Sequence, residues 1–313
     1  MNISIILPVY NEEENISPLI AEIESVISEH HLDCEIILVD DGSSDQSVNV
    51  IKEICQNNKK VKLLKFRRNF GQTAAMSAGI DYSQGDIIIL MDSDRQNDPN
   101  DIPLLLSEIE NGSDVVVGWR KNRKDDVIKR NLPSLIANCL IRKIGKVEVH
   151  DLGCSLKAFK KELISQVRLY GEMHRFIPLY TNAIGGKLTE VIVNHRPRIA
   201  GTSKYGMIRT FKVLLDLITV KFLLEYGTRP MYFFGMLSFT LLTLGILSSI
   251  FLIVHKLVNN ISIIQSPLLI VTAVLIILSV NFVMMGLIAE LLMRTYFESQ
   301  KKPSYYLKEK INL

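Results

Sequence analysis

Two long stretches without a charged residue constrain most strongly what this chain can fold into. Met231 to Val254 and Leu268 to Ala289 contain no Asp, Glu, Lys or Arg. Each is long enough to cross about 30 Å of hydrocarbon as an α-helix, and a helix satisfies its own backbone hydrogen bonds in lipid. A pair of buried core helices is the weaker alternative, because core helices rarely stay uncharged for more than about twenty residues. We therefore predict two transmembrane helices, at about 231–254 and 268–292.

Basic residues are distributed unevenly around these two stretches. The connecting segment 255–266 has one Lys and no Arg. The flanking basic residues are Lys204, Arg209, Lys212, Lys221 and Arg229 before the first stretch, and Arg294, Lys301, Lys302, Lys308 and Lys310 after the second. The positive-inside rule then puts the large N-terminal region and the basic C-terminal tail in the cytoplasm. No signal peptide is expected, because the chain enters a strand-like run at Ile3 without a basic leader.

The first half of the chain alternates strand-like apolar runs with helical patterns. The expected strands are Ile3–Val9, Glu35–Val39, Val61–Phe66, Asp86–Met91, Asp114–Val117 and Lys187–Asn194. The expected helices are Asn15–Ser28, Ser44–Gln56, Gln72–Tyr82 and Pro133–Ile144. This alternation is typical of an α/β domain with a mostly parallel, Rossmann-like sheet and helices on its faces.

The segment Gly206 to Tyr226 predicts an amphipathic helix that leads into the first span. Its apolar residues fall on one face and its polar residues on another, which suits a helix in the membrane interface. An ordinary helix docked on the domain core is the alternative. The expected organisation is therefore a domain at 1–205, a juxtamembrane helix at 206–228 and a two-helix anchor at 229–313.

Composition excludes some functions. The four cysteines have no paired metal-ligand spacing and fit reduced thiols of the cytosol. A net charge of +3 is too small to indicate a nucleic-acid partner. The basic residues cluster near the spans, where anionic lipid is the natural partner.

Polar motifs follow three of the expected strands, and ligands of such sheets bind beyond the strand ends. Asp92-Ser93-Asp94 could hold Mg²⁺ or Mn²⁺ against a diphosphate, because carboxylate oxygens suit hard cations. Asp40-Asp41-Gly42-Ser43 offers acceptors for a base and a ribose, although capping and a turn explain its Gly and Ser. Asn11-Glu12-Glu13-Glu14 could be only an acidic helix start, and the Asp-x-Asp pair alone could be a solvated turn.

The motifs taken together resemble glycosyltransferase family 2, and within it the polyprenyl-phosphate glycosyltransferases. They are Val9-Tyr10-Asn11-Glu12, Asp40-Asp41-Gly42-Ser43, Asn69-Phe70-Gly71-Gln72, Asp92-Ser93-Asp94-Arg95-Gln96, the segment 151–159, the segment 173–178 and the segment 195–205. The resemblance implies a GT-A catalytic domain at a bacterial inner membrane. It also implies a nucleotide-sugar donor linked to UDP or GDP, a polyprenyl phosphate acceptor such as undecaprenyl phosphate, and a homo-oligomer.

The resemblance carries over to individual positions of this chain. It implies nucleotide-sugar contacts from Pro8, Tyr10, Glu12, Asp40, Asp41, Asp92, Ser93, Arg198 and Lys204. It implies a metal site at Asp92, Asp94 and Gln96, and an acceptor-phosphate site at Arg130 and Ser134. The catalytic positions would be Asp94, Asp151 and Arg120, with Arg120 bridging donor and acceptor.

The expected reaction is the inverting, metal-dependent transfer of a single sugar. A polyprenyl phosphate is already largely ionised at neutral pH, its second pKa being about 6, so a general base is not obviously needed. Asp151 is thus either a base or a group that orients an arginine or the sugar hydroxyls. The processive synthases of the family carry Gln-x-x-Arg-Trp, which is missing around Trp119, the one tryptophan. The alternatives are a catalytically silent scaffold or carrier-lipid binding protein with the same fold, and a transferase with a non-lipid acceptor.

Overall fold

The computed structural model describes residues 2–121, 149–167, 169, 173–197, 222, 226, 230–259, 266–299 and 305–313. The chain divides into two compact units, one made of Met1–Leu217 with Pro303–Leu313 and the other of Ile218–Lys302. The helix expected at Pro133–Ile144 lies outside the described residues, and so does the helix at Gly206–Tyr226 except for Phe222 and Tyr226.

The first unit contains eight described strands. They are β1 (Asn2–Val9), β2 (Asp33–Asp40), β3 (Val61–Phe66), β4 (Ile87–Leu90), β5 (Val115–Trp119), β6 (Lys157–Lys160), β7 (Leu188–Ile192) and β8 (Leu307–Ile311). Its helices are α1 (Glu13–Glu29), α2 (Ser47–Asn57), α3 (Gln72–Tyr82), α4 (Ile102–Glu110), α5 (Lys161–Ile164) and α6 (Ile177–Ala183), with 3-10 turns at Pro99–Asp101 and Met173–Arg175.

The strands form one sheet in the order β7-β5-β6-β4-β1-β2-β3-β8. β1, β2, β3 and β4 pair in parallel, as do β5 and β7, which confirms the predicted mostly parallel α/β sheet. β6 is antiparallel to both β4 and β5, and β8 is antiparallel to β3. The carboxyl ends of β1, β2 and β4 therefore meet at one edge of the sheet, where the polar motifs follow.

Helices cover both faces of this sheet. Alternate residues of β1, such as Ile5 and Leu7, are fully buried with apolar residues of α1, α2 and α4. The intervening position Ile6 faces α3, where a Cβ on Gly79 would meet the Ile6 side chain at 2.3 Å. A glycine at this position therefore lets α3 approach the sheet closely. Continuously apolar strands buried on both faces are what a parallel sheet of this kind requires.

The C-terminal tail adds an edge strand to the sheet, which the sequence analysis did not anticipate. β8 pairs with β3, and the Tyr305 ring stacks on Phe66 with a centroid distance of 5.3 Å. The Tyr305 hydroxyl donates to Asp81, and Lys52 forms an ion pair with Glu309 at 2.7 Å. The tail thus covers an edge of β3 that would otherwise present unpaired backbone groups.

The second unit is a pair of long helices, α7 (Pro230–Asn259) and α8 (Pro267–Ser299). Both contain segments long and apolar enough to cross a membrane, Pro230–Val258 and Pro267–Ala289, and few of their side chains are buried. Small and polar residues lie where the helices pack. The Ser238 hydroxyl donates to the Ser279 carbonyl at 2.8 Å, and Gly245 packs beside Ile276. Such contacts are typical of helix pairs in lipid.

Candidate active site

The acid pair lies directly beyond β4, at the edge where the parallel strands end. The Gln72 side chain, at the first position of α3, donates a hydrogen bond to Asp92 Oδ1 at 2.7 Å. The backbone N–H of Gln96 donates to Asp94 Oδ1 at 3.2 Å. Asp94 is 9% exposed. Both carboxylates are therefore held in place by neighbours from two different segments of the chain.

The electrostatics of this pair suit a divalent cation. Burial raises the pKa of Asp92, and the nearby negative charge of Asp94 raises it further, although the positive charges of Arg120 and Lys157 oppose the shift. A bound cation would relieve this repulsion and accept the hard oxygen ligands that the pair offers. Among the described residues no cluster of three His, Cys, Asp or Glu side chains forms a closed metal site. A cation on Asp92 and Asp94 would accordingly take further ligands from a diphosphate and water.

Ser93 has a structural contact in this loop. Its hydroxyl donates to the Pro8 carbonyl at 2.8 Å, which ties the residues after β4 to the end of β1. Ser93 and Pro8 were both expected to contact the nucleotide sugar, and the structure places them in contact with each other.

An ionic clamp, formed by Glu22, Arg95, Asp98 and Arg196, fixes the loop that follows the acid pair. Arg95 has a left-handed backbone (φ 60°), and its guanidinium contacts one Glu22 oxygen at 2.5 Å. Arg196 contacts the other Glu22 oxygen at 2.5 Å and Asp98 at 2.7 Å. The backbone N–H of Arg196 also donates to the Gln96 carbonyl at 2.9 Å. The clamp therefore joins α1, the loop of the acid pair and the segment after β7.

The two aspartates after β2 have different environments. Asp41 accepts hydrogen bonds from the backbone N–H groups of Phe70 and Gly71, at 2.6 Å and 3.0 Å, so it anchors the start of α3. Burial raises the pKa of Asp41 despite these bonds. Asp40 is 0% exposed and accepts from the Ser43 N–H at 3.1 Å. Its Oδ2 atom has no hydrogen-bond partner within the described part of the chain.

The loops after β1 and β2 are bonded to each other. The Asn11 backbone N–H donates to Ser43 Oγ at 3.0 Å, and the Asn11 side chain accepts from the Ser44 N–H at 2.8 Å. The Glu12 carboxylate accepts a hydrogen bond from Asn15 at 2.7 Å. Tyr10 is 38% exposed at the end of β1. The expected nucleoside residues Tyr10, Glu12, Asp40 and Asp41 therefore come from one pair of connected loops.

Arg120 and Asp151 form a bidentate ion pair. Arg120 Nε is 2.7 Å from Asp151 Oδ2, and Nη2 is 3.0 Å from Oδ1. Both side chains are nearly buried, being 10% and 11% exposed. Burial disfavours the charged guanidinium, but the Asp151 carboxylate outweighs it and raises the pKa of Arg120. The two expected catalytic residues thus bond to each other, and Arg120 also acts electrostatically on Asp92.

Glu190 on β7 fixes the backbone that carries Asp151. It accepts hydrogen bonds from the backbone N–H groups of His150 and Asp151 at 2.8 Å and 3.0 Å. Its other oxygen is 2.7 Å from His150 Nδ1, and the His150 ring stacks on Trp119 at 4.3 Å. The sequence analysis did not single out Glu190, because nothing local connects it with a segment 39 residues away.

The remaining expected site residues lie outside the described part of the chain. They are Arg130, Ser134, Arg198 and Lys204.

A mostly parallel sheet covered by helices on both faces, with an acid pair beyond β4, defines a GT-A domain. The family model described as glycosyl transferase family 2 matches residues 4–168. The chain belongs to this family and is a glycosyltransferase.

Curated relatives extend the similarity over nearly the whole chain. It is 42% identical to a dodecaprenyl-phosphate galacturonate synthase of Rhizobium johnstonii, over 99% of this chain and 93% of that protein. It is 33% identical to an undecaprenyl-phosphate 4-deoxy-4-formamido-L-arabinose transferase of Pseudomonas fluorescens, over 98% and 89%.

Among solved structures, the fold is similar to mannosyl-3-phosphoglycerate synthase from Rubrobacter xylanophilus, with a TM-score of 0.59 and 15% identity over 71% and 74% of the two chains. It is also similar to a glucosyl-3-phosphoglycerate synthase of Mycobacterium tuberculosis crystallised with Mn²⁺ and UDP-glucose, with a TM-score of 0.53 and 19% identity over 70% and 78%. At these identities the likeness concerns the fold alone.

Proposed function

We propose that this protein transfers one sugar from a nucleotide-sugar donor to a polyprenyl phosphate at the cytoplasmic face of a bacterial membrane, with inversion at the anomeric carbon. The observation that carries the proposal is the acid pair Asp92 and Asp94 beyond β4, held by Gln72 and lying within electrostatic reach of Arg120. The acceptor class is supported by the relatives, both of which are named for transfer to or synthesis on a polyprenyl phosphate.

The donor diphosphate belongs beside the acid pair. Asp92 and Asp94, with the Gln96 side chain, are the residues that would hold Mg²⁺ or Mn²⁺. When bound, such a cation neutralises charge on the departing diphosphate. The protein fixes the two carboxylates through Gln72 and the ionic clamp, so their positions require little rearrangement during the reaction.

The nucleoside belongs at the connected loops after β1 and β2. Asp40 Oδ2, which has no hydrogen-bond partner among the described residues, is an acceptor to which an N–H group of a base could donate after a small movement of the loop. Tyr10, which is 38% exposed, offers an aromatic side chain on the neighbouring loop after β1. Asp41, by contrast, holds α3 in place and supports the nucleoside site indirectly. UDP and GDP are both compatible with these groups.

The attacking atom is an oxygen of the polyprenyl phosphate. It forms a bond to the anomeric carbon while the bond from that carbon to the diphosphate oxygen breaks, and the nucleoside diphosphate leaves. The phosphate is largely dianionic at neutral pH, so no proton need be removed from it. The role of Arg120, fixed by Asp151, is to hold this anion near the donor, while Arg198, Lys204, Arg130 and Ser134 retain the roles that the family resemblance implies.

The membrane arrangement follows from the order of the chain. The polypeptide leaves the sheet before α7 and returns to it as β8, which supports an even number of membrane crossings by α7 and α8. The basic residues around the spans favour the cytoplasm for both the sheet and the C-terminus. A homo-oligomer, implied by the family resemblance, stays a prediction that light scattering in detergent would test.

The test is a transfer assay with the full-length protein in detergent or nanodiscs. Undecaprenyl phosphate, Mn²⁺ or Mg²⁺ and a panel of UDP- and GDP-linked sugars are supplied, and lipid-linked monophosphosugar is detected by mass spectrometry. We expect product with one or more donors and none with Asp94→Ala or with EDTA. Asp33→Ala is the matched control, since Asp33 begins β2 at the opposite end and pairs with Lys60 on the surface. Normal turnover by Asp94→Ala would refute the assignment of the acid pair.

A further inference from the structure

The loop between β3 and α3, residues 67–71, leads directly to the acid pair. At its end Gly71 has a left-handed backbone (φ 95°), and α3 begins at the next residue, Gln72. The Gln72 side chain donates a hydrogen bond to Asp92 Oδ1 at 2.7 Å. The position of this β3–α3 loop therefore determines where the amide of Gln72 meets the carboxylate of Asp92.

The C-terminal tail packs on the same loop. The Arg67 backbone N–H donates to the Tyr306 carbonyl at 3.1 Å. The Tyr306 ring lies beside the Phe70 ring with a centroid distance of 6.1 Å. Phe70 also makes a T-shaped contact with Phe66 at 5.6 Å, and the Arg68 guanidinium lies over its ring at 4.2 Å. The ring of Phe70 is thus held by the tail, by β3 and by the loop itself.

Tyr305 extends the contact of the tail to α3. Its ring stacks on Phe66 at 5.3 Å, and its hydroxyl donates to Asp81, near the end of α3, at 2.8 Å. The Asp41 carboxylate holds the backbone N–H of Phe70 at 2.6 Å. Two parts of the chain, the tail and the loop after β2, therefore fix the segment that carries Gln72.

Protection of a sheet edge does not account for the contact at Tyr306. The backbone pairing of β8 with β3 already covers that edge. Tyr306 precedes the strand and is 60% exposed, so it adds little to the core. The pairing also contains a β-bulge, because the register shifts between Lys65 and Phe66. Such bulges are common next to active sites, where they redirect a side chain or end the pairing.

We propose that the tail is a positioning element of the donor site, in which Tyr306 acts through Phe70 and Gln72 on Asp92. The inference rests on the proposed function, because Asp92 belongs to the acid pair that would hold the cation and the donor diphosphate. Tyr306 limits the movement of the β3–α3 loop, so less ordering is required when the nucleotide binds. Since β8 is the last element of the chain, the donor site reaches full affinity only once the tail has paired with β3.

The test measures nucleotide binding by the full-length protein in detergent, without a lipid acceptor. UDP and GDP, each with Mn²⁺, are titrated by calorimetry into the wild type and the variants. We expect Tyr306→Ala to raise the Kd of the nucleotide that the wild type binds by about 3- to 10-fold, the effect of losing one aromatic pair. Tyr306→Phe keeps the ring and should bind like the wild type.

Kinetics separate positioning from a loss of folded protein. In the transfer assay, Tyr306→Ala should raise the KM for the donor by a similar factor, while kcat and the KM for undecaprenyl phosphate change little. A smaller fraction of folded enzyme would instead lower kcat and leave both KM values unchanged. Hydrogen–deuterium exchange without nucleotide should be faster in the β3–α3 loop of the variant, because this loop has lost a contact.

Lys310→Ala is the matched control. Lys310 is also on β8, and its ammonium lies over the Tyr82 ring at 4.5 Å. Tyr82 is the last residue of α3, at the opposite end of the helix from Gln72. Lys310→Ala should therefore leave nucleotide binding unchanged, although it also removes a contact between the tail and α3.

A double-mutant cycle tests the route of the effect. If Tyr306 acts through Phe70, the double variant Tyr306→Ala with Phe70→Leu should bind the nucleotide no more weakly than Phe70→Leu alone. Losses that multiply in the double variant would overturn this route and with it the proposal.

The other failures are distinguishable as well. If the wild type binds a nucleotide and Tyr306→Ala binds it equally well, the proposal is overturned and the proposed function stays intact. An equal rise of Kd in Tyr306→Ala and Lys310→Ala also overturns it, because the tail would then act only through general stability. A wild type that binds neither nucleotide and forms no lipid-linked product with any donor overturns both.

Discussion

Asp151 should act in this enzyme through Arg120 rather than as a proton-abstracting base. Both Asp151 oxygens bond to the Arg120 guanidinium, at 2.7 Å and 3.0 Å, and both side chains are close to 90% buried. A carboxylate in this arrangement fixes the direction of the guanidinium. The nucleophile proposed for the reaction is a phosphate that is already ionised, so a base has no proton to remove.

The magnitude follows from the geometry of the pair. Removing one partner of a buried ion pair costs about 3–5 kcal/mol, because the other charge stays buried without compensation. If this loss appears in the transition state, Asp151→Ala lowers kcat/KM by roughly 10²-fold to 4 × 10³-fold, since about 1.4 kcal/mol corresponds to a factor of ten. Asp151→Asn keeps one acceptor oxygen and loses one charge-assisted bond worth about 2 kcal/mol, which gives a loss of roughly 30-fold.

A double-mutant cycle on kcat/KM tests the coupling. Arg120→Lys and Asp151→Asn are measured singly and together in the transfer assay. If the two residues act as one unit, the double variant should be no worse than about the poorer single variant, whereas for independent roles the two single losses would multiply. Asp114→Asn, which weakens the half-exposed pair with Lys160, is the control and should change kcat/KM little.

The pH profile supplies the result that would refute this reasoning. An orienting carboxylate leaves the acid limb of kcat/KM in place when Asp151 is replaced by Asn. A general base would be responsible for that limb, so the limb would disappear in the variant. Multiplicative losses in the cycle, together with a vanished acid limb, would establish Asp151 as a base.

Two further predictions concern the ionic clamp and a buried ion pair. Glu22→Gln removes the carboxylate shared by the two arginines of the clamp, so the Mn²⁺ concentration for half-maximal activity should rise about 10-fold at most, in the range seen for groups that support metal ligands. Glu24→Gln, on the same helix but bonded to Asn58, is the control and should leave this concentration unchanged. An unaltered metal requirement in Glu22→Gln would contradict the prediction. Burial raises the pKa of Glu35, but Lys62 and Ser4 lower it more, so the folded pKa lies below the usual 4.5. Glu35→Gln should therefore cost about 3 kcal/mol of unfolding free energy above that pH, and the difference from wild type should shrink as the pH falls through the folded pKa. A pH-independent difference in urea titrations would disprove the linkage.

The parallel strands of the sheet were predictable because each is a local apolar run in the sequence. Val61–Phe66 was predicted with the bounds that β3 has, and β4 was placed within one residue at each end. Apolar runs of this length between polar turns have few alternatives in an α/β domain. The position of the acid pair was predictable for the same reason, since it follows directly from where β4 ends.

β6 and β8 were missed because nothing local distinguishes them. β6 has only four residues, Lys157–Lys160, and begins with a charged residue. β8, Leu307–Ile311, alternates charged and apolar residues and is a strand only because β3 offers an unpaired edge. Strand propensity depends on such neighbours more than on the segment itself.

The candidate charged residues Asp92, Asp94, Arg120 and Asp151 could be listed from the sequence, but their pairing could not. Arg120 and Asp151 are 31 residues apart, and Glu22 and Arg196 are 174 apart, so only the folded sheet brings each pair together. The pairing changes what each residue can do. Asp151 anchors an arginine, and Arg95 is part of the ionic clamp.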